Sequence, residues 1–419
     1  MAEKIKMLFI IHALLISLIF LTITCGQDMR TQAVKLHKKL VTIDTHADTP
    51  MNITENGFDM SIYHTPGERG SGKIDLPRME GNLDAEFFAV FIGQRALTEK
   101  AHQEAKDEAN QIIDAMENMV AQNAQCIELA TQPDDVIHLK KEGKKAAYLG
   151  MENGYPIGKD LSLVFHFYQR GIRYITLCHN GNNEICDSST DEKGARWNGL
   201  SPFGEKVAAE MNRLGMIIDL SHTSDSTFYN VIRLSKAPVI ASHSCCRALC
   251  DHKRNLTDDM IQELAKKGGV IHICFVSSFV KKQPPNPQRD AALDSLRAKY
   301  GSYYDVKDPE IKKIYRDAYH SIYDQYEGDK ATVKDLVDHI DHVIQLVGED
   351  YVGIGTDFDG GGGVEGCDDV SELTNITLEL LERGYSEETI AKIWGGNFLR
   401  VFRQIVQFRE NIQKKRENG

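Results

Sequence analysis

The feature that most constrains this sequence is a regular alternation. Short β-rich apolar runs are each followed by a stretch of helical character. Eight runs stand out: Val41–Asp48, Phe87–Gly93, Ala146–Asn153, Ile172–His179, Met216–His222, Pro238–Ser244, Gly268–Phe275 and Tyr351–Gly360. Most are continuously apolar, as parallel strands covered on both faces are. Helical stretches separate them, among them Thr98–Asn123, Pro202–Leu214, Ser224–Ser235, Thr257–Lys267 and Ala331–Leu346. Asp225 and Asp258 fall in first turns, where the helix dipole favours an anion. Eight such units in series predict an α/β fold, a (β/α)8 TIM-type barrel. An open doubly wound sheet is the competing arrangement, but no G-x-G-x-x-G follows the first run.

Segment 281–329 interrupts the alternation after the seventh run. It opens Lys-Lys-Gln-Pro-Pro-Asn-Pro, which breaks helices. It then turns helical, charged and rich in tyrosine: Tyr300, Tyr303, Tyr304, Tyr315, Tyr319, Tyr323 and Tyr326. An insertion there would cap the C-terminal mouth of the barrel, and loops this long are usually functional. A lid that narrows the pocket is the expectation.

Composition removes other classes. With 419 residues of which 42% are hydrophobic, the chain buries a sizeable core and is not globally disordered. Lys plus Arg is 49 against 61 Asp plus Glu, a net charge of −12, so no nucleic acid is expected as a partner. At the N-terminus, Lys4 and Lys6 precede an apolar stretch from Met7 to Thr24. Residues 1–24 read as a secretory signal. The run Leu21-Thr22-Ile23-Thr24-Cys25 resembles a bacterial lipoprotein signal with Cys25 as the lipidated mature N-terminus, although Thr24 stands where a small residue is usual. An uncleaved anchor is the competing reading. Either way, residues 25–419 are expected to be one exported domain tethered to a membrane, in a periplasm or at a cell surface. The other eight cysteines contain no C-x-x-C pair, which argues against a cysteine zinc site. Their spacing leaves pairing open: small buried residues with one or two bridges are expected.

Ionisable residues fall at the ends of the apolar runs. His46 and Asp48 end the first, Glu152 the third, His179 the fourth, His222 the fifth, His243 the sixth and Asp357 the eighth. In a barrel these ends surround one mouth. Unpartnered, such groups would cost several kcal/mol each to bury, as a rough guide, and a metal offsets that cost. His46-x-Asp48 places two side chains on one side of a strand. Imidazole and carboxylate suit Zn²⁺. Any one of these residues alone is more often structural; the co-location of His46, Asp48, Glu152, His222 and His243 reverses that. Five ligands exceed one tetrahedral zinc and suit two ions sharing a carboxylate, about 3.5–4 Å apart around a bridging hydroxide.

At these residues the sequence resembles the membrane dipeptidase (renal dipeptidase, peptidase M19) family of amidohydrolase-like barrels, in its bacterial branch. The matching stretches are Ile43-Asp44-Thr45-His46-Ala47-Asp48, Gly150-Met151-Glu152-Asn153-Gly154, Leu177-Cys178-His179-Asn180-Gly181-Asn182-Asn183, Ile218-Asp219-Leu220-Ser221-His222, Ala241-Ser242-His243-Ser244, Arg254-Asn255-Leu256 and Gly355-Thr356-Asp357-Phe358-Asp359-Gly360. The resemblance runs over nearly the whole mature chain. It implies a binuclear zinc dipeptidase with two Zn²⁺ per chain. His46 and Asp48 would bind one ion, His222 and His243 the other, and Glu152 both. His179 would hold the scissile carbonyl oxygen and Arg254 the terminal carboxylate of the substrate. Asp357 would carry the proton from water to the leaving amine. Small dipeptides, L,L and L,D, are the implied substrates, and homodimers are common in the family. The usual amidohydrolase pattern of H-x-H with a carbamylated lysine is absent: H-x-D and Glu152 stand in its place, which argues against deaminase chemistry. Two alternatives remain open at this stage: hydrolysis of another small amide or a lactam, and a non-catalytic peptide-binding lipoprotein.

Overall fold

A computed structural model describes residues 28–417 apart from 69, 307 and 327. The leader and Cys25 lie outside the described residues. Nine parallel strands form one sheet: β1 Ile43–Ala47, β2 Ala85–Phe91, β3 Ile127–Leu129, β4 Lys145–Glu152, β5 Ile172–Thr176, β6 Ile217–Asp219, β7 Ile240–Ser244, β8 Val270–Ile273 and β9 Val352–Ile354. Eight of them follow one another in the order β1-β2-β4-β5-β6-β7-β8-β9. The circle closes where Ala47 bridges Phe358 and Asp357 N–H donates to His46 O at 2.9 Å. The expected (β/α)8 barrel is therefore present.

Two details differ from the sequence reading. The short strand β3 was not expected. It pairs with Lys145–Ala147 at the base of β4, below the point where β5 begins at Leu149. Three residues carry too little periodicity to stand out. Several strands also end earlier than their apolar runs. β5, β6 and β9 stop three residues before His179, His222 and Asp357. These residues sit on the turns just past the ladder, and His222 (φ 67°) and Asp357 (φ 58°) adopt left-handed backbone there. Such strain persists only where the surroundings impose it.

The helices start where their caps predict. Thr98, Ser201, Ser224, Thr257 and Thr332 each accept a backbone N–H from the first turn through the side-chain hydroxyl. Inward-facing Phe87, Tyr148 and Tyr174 fill the barrel, with Phe87 stacked on Tyr148 at 4.7 Å. The C-terminal helix Asn397–Glu417 plugs the opposite end with Phe398 and Phe402. The cysteines behave as small apolar residues rather than bridges: all eight described are free thiols, and seven are buried.

The insertion after β8, the seventh strand of the barrel, forms the helices Pro287–Tyr300 and Pro309–Gln325, joined through a helical turn at Tyr303–Asp305. Its anchor is Glu55, on the helix Thr49–Asn56 that follows β1. Glu55 accepts from Tyr303 Oη and from Lys312 Nζ, the latter at 2.8 Å.

Candidate metal centre

His46 is carried inside β1, and two residues later the chain turns into the next helix at Asp48. Glu152 is the last residue of β4 and His243 lies within β7. Barrel closure brings all of them to one mouth. Glu152 stands at the centre, and its two oxygens face different groups. Oε2 lies 3.6 Å from His46 Nε2, which is itself 3.6 Å from Asp48 Oδ2. Oε1 lies 3.0 Å from His222 Nε2 and 3.5 Å from His243 Nε2. His179 Nε2 is 3.9 Å from the same oxygen. Asp357 joins His46 and Asp48 in a third close group. The seven residues expected at the strand ends therefore converge.

The hydrogen-bond partners fix which ring nitrogens are free. Ser242 Oγ donates to Asp219 Oδ2 at 2.6 Å, so at its 2.8 Å contact with His243 Nδ1 it accepts, and His243 carries its proton on Nδ1. His222 Nδ1 faces the amide oxygen of Asn180 at 3.2 Å and must donate as well. Both Nε2 atoms then present lone pairs, 2.9 Å apart and both toward Glu152 Oε1. Three acceptors with no hydrogen between them require a cation. On the other side, His46 Nδ1 pairs with Tyr174 Oη at 2.7 Å, while His46 Nε2 and Asp48 Oδ1 are buried with no hydrogen-bond partner among the described residues. These orphaned atoms fit a metal ion.

The titration pattern says the same. Burial, then the charges of Arg254 and neighbouring imidazoles, push His222 and His243 far below the usual range. Burial, helped by Arg254, lowers His179 to about 3, so it is a neutral imidazole. Asp357 is raised well above a normal carboxylate by burial and then by Asp48. Burial, followed by Glu152, raises Asp48 as well. Burial opposes protonation of His46, but the oxygens of Tyr174 and Glu152 outweigh it and hold it up. Carboxylates crowded without compensating charge are what bound cations relieve.

Arg254 lies beneath His243, 3% exposed. Its Nη2 donates to His243 O at 3.1 Å, and its guanidinium sits 5.4 Å from the centre of the Phe279 ring. Nε and Nη1 have no partner among the described residues. The guanidinium thus keeps N–H donors that no protein acceptor among the described residues uses, available to an anion. The buried Cys245 thiol donates to the Cys274 carbonyl oxygen at 3.2 Å.

Sequence reasoning passed over the supporting shell. Asp44 accepts the backbone N–H groups of His46 and Thr356, tying β1 to the turn after β9. Asp219 does the same for Ser221 and Ser242 on the opposite side. An acid inside an otherwise apolar strand was the available signal. Gly360 was also missed. A Cβ on it would fall well inside contact distance of Asp48 Oδ2 and Asp357 Oδ1, and 3.0 Å from Asp48 Cγ. The two carboxylates lie against bare backbone that no side chain could share.

Comparison with known proteins agrees with the geometry. The sequence profile described as "Membrane dipeptidase (Peptidase family M19)" matches residues 30–416. The chain is 33% identical to Dipeptidase tcpJ of Claviceps purpurea (strain 20.1) over 354 residues, covering 83% of this chain and 73% of that protein. It is 30% identical to human Dipeptidase 3 over 388 residues, covering 91% and 69%. The crystal structure of the probable dipeptidase PvdM from Pseudomonas aeruginosa superposes with a TM-score of 0.78 at 33% identity, covering 91% of this chain and 99% of that one.

Proposed function

The chain belongs to the membrane dipeptidase family, and from that premise we propose that it hydrolyses dipeptides, both L,L and L,D, with two Zn²⁺ at the barrel mouth. Metal-dependent dipeptide hydrolysis is the activity its family and relatives support. The observation that carries the finer reading is the two-sided placement of Glu152, with His46, itself beside Asp48, at one oxygen and His222 and His243 at the other. His46 and Asp48 would hold one ion, His222 and His243 the second, and Glu152 both.

When bound, the ions supply Lewis-acid polarisation and an acidified water. The chain's own groups do the rest. Arg254, whose guanidinium keeps N–H donors unpaired among the described residues, holds the substrate's terminal carboxylate. His179, neutral and at the open edge of the cluster, hydrogen-bonds the scissile carbonyl oxygen as charge develops on it. Asp357 accepts the proton of the attacking water and delivers it to the departing amine. Segment 281–329 serves as the lid. The same proposal has residues 1–24 removed on export and Cys25 lipidated, so that the enzyme works on the outside of a bacterial membrane, as a homodimer.

A dipeptide panel, run before chelation, after it and after zinc is restored, tests the activity. Cleavage that survives chelation, or no cleavage of any dipeptide with zinc restored, would refute it. Incorporation of labelled fatty acid into wild type but not Cys25→Ser tests the anchor, and its absence from wild type would refute that part.

A further inference from the structure

The insertion reaches the metal centre through a stack of rings. Phe91, the last residue of β2, packs edge-on against His179 at 4.8 Å. Tyr304 of the insertion packs edge-on against Phe91 at 5.6 Å. The Tyr304 ring also occupies the space a side chain at Gly93 would need, so the backbone after β2 has been kept bare for it. Burial, and then the negative charges of Glu152 and Asp48, push the Tyr304 phenol upward, as expected for a ring set over the mouth. Behind the two rings lies a cavity of about 250 Å³, lined by Phe91, Tyr304, Glu55, Arg95, Gln111 and Lys312 among others. None of the seven residues at the mouth lines it. Phe91 and Tyr304 thus stand between the metal centre and a space large enough for an amino-acid side chain.

Beside this ring packing, one carboxylate ties the Tyr304 segment to the barrel. Glu55 accepts from Tyr303 Oη and Lys312 Nζ and lies 3.6 Å from Arg316 Nη1. Lys312 Nζ sits 5.0 Å from the centre of the Tyr303 ring. All three partners belong to the insertion, and Glu55 belongs to the helix after β1.

We propose that Tyr304 and Phe91 form a wall that sets the largest side chain a dipeptide can carry on the His179 side, and that Glu55 is the positioning residue that latches this wall shut. The proposal rests on the dipeptidase reading. An aromatic wall against a pocket discriminates by size, and removing it joins the pocket to the space behind. Glu55 acts through the insertion, so its loss loosens the wall without touching the reacting atoms.

The test compares kcat and KM of the zinc-loaded enzyme on dipeptides with small and bulky side chains, alongside metal content and thermal unfolding. Tyr304→Ala should raise the ratio of kcat/KM for bulky over small substrates by about 10-fold or more. Glu55→Gln should move the ratio the same way by a smaller factor, through KM, with kcat and metal content held. Combining the two should add nothing to Tyr304→Ala alone, because both act on one wall. Should Glu55→Gln fold poorly, Tyr303→Phe removes one strand of the latch without changing volume and should show the same direction. Unchanged size preference in these variants, with wild type active, overturns the wall and leaves the dipeptidase reading standing. Wild type that cleaves no dipeptide overturns both.

Discussion

Replacing Gly360 by alanine should damage the metal centre more than the fold. The added methyl would press on Asp48 Oδ2 and Asp357 Oδ1 together. Restoring an ordinary C···O separation of about 3.3 Å requires both carboxylates to retreat by roughly 1 Å or more. Neither has room to do so freely. Asp48 is 5% and Asp357 8% exposed, and Asp357 is pinned by its backbone bond to His46 O at 2.9 Å. Overpacking of this kind costs about 1–3 kcal/mol of stability. A displacement of about 1 Å at reacting groups costs on the order of 10²-fold in rate. Metal affinity should fall about 10- to 100-fold, as it does when ligand support is lost. The assay is equilibrium dialysis against buffered zinc, with kcat/KM on a dipeptide and thermal unfolding measured on the same preparations. Gly328→Ala is the control, since a Cβ there meets nothing nearer than 3.4 Å. Wild-type zinc affinity together with wild-type kcat/KM in Gly360→Ala would show that the two carboxylates do not share a metal centre against this backbone.

Four further outcomes are expected. Tyr174→Phe removes the partner of His46 Nδ1 at 2.7 Å and should weaken zinc binding about 10- to 100-fold with little change in unfolding, measured by competition with a chelating dye. Asp357→Asn should lower kcat by about 10²–10⁴-fold while metal content by atomic absorption is retained. Phe87→Ala empties a fully buried site against Tyr148 and Tyr174 and should cost about 3–5 kcal/mol in denaturant unfolding. Glu86, fully buried with neither oxygen bonded among the described residues, is raised well above the carboxylate range by burial and then by Asp44, which burial itself pushes up to about 6. A raised acid gives stability that is complete below its unfolded pKa near 4.5 and is lost as pH rises toward the folded value, at about 1.4 kcal/mol for each pH step between the two. Glu86→Gln should therefore gain stability relative to wild type as pH increases above about 4.5, and a difference in melting temperature that stays flat or falls with pH would contradict the assignment.

Chain order and residue type sufficed for the barrel, because parallel strands covered on both faces must be continuously apolar, and the helix caps are local hydrogen bonds between neighbours in sequence. They sufficed also for the identity of the residues at the mouth, since a charged group at the end of an apolar run has few places to go. His46, Asp48, Glu152, His179, His222, His243 and Asp357 meet where the strand count places them. The bent turns under His222 and Asp357 and the brevity of β6 and β9 were not legible, because the ladder ends where closure of the circle leaves no partner, and that is set by all strands together. The pairing of His46 with Tyr174 spans 128 residues and that of Tyr303 with Glu55 spans 248. No local pattern encodes such pairs. The sequence supplied the acids and imidazoles; closing the barrel determined which of their atoms face one another, and left Glu152 with two oxygens turned toward two sets of ligands.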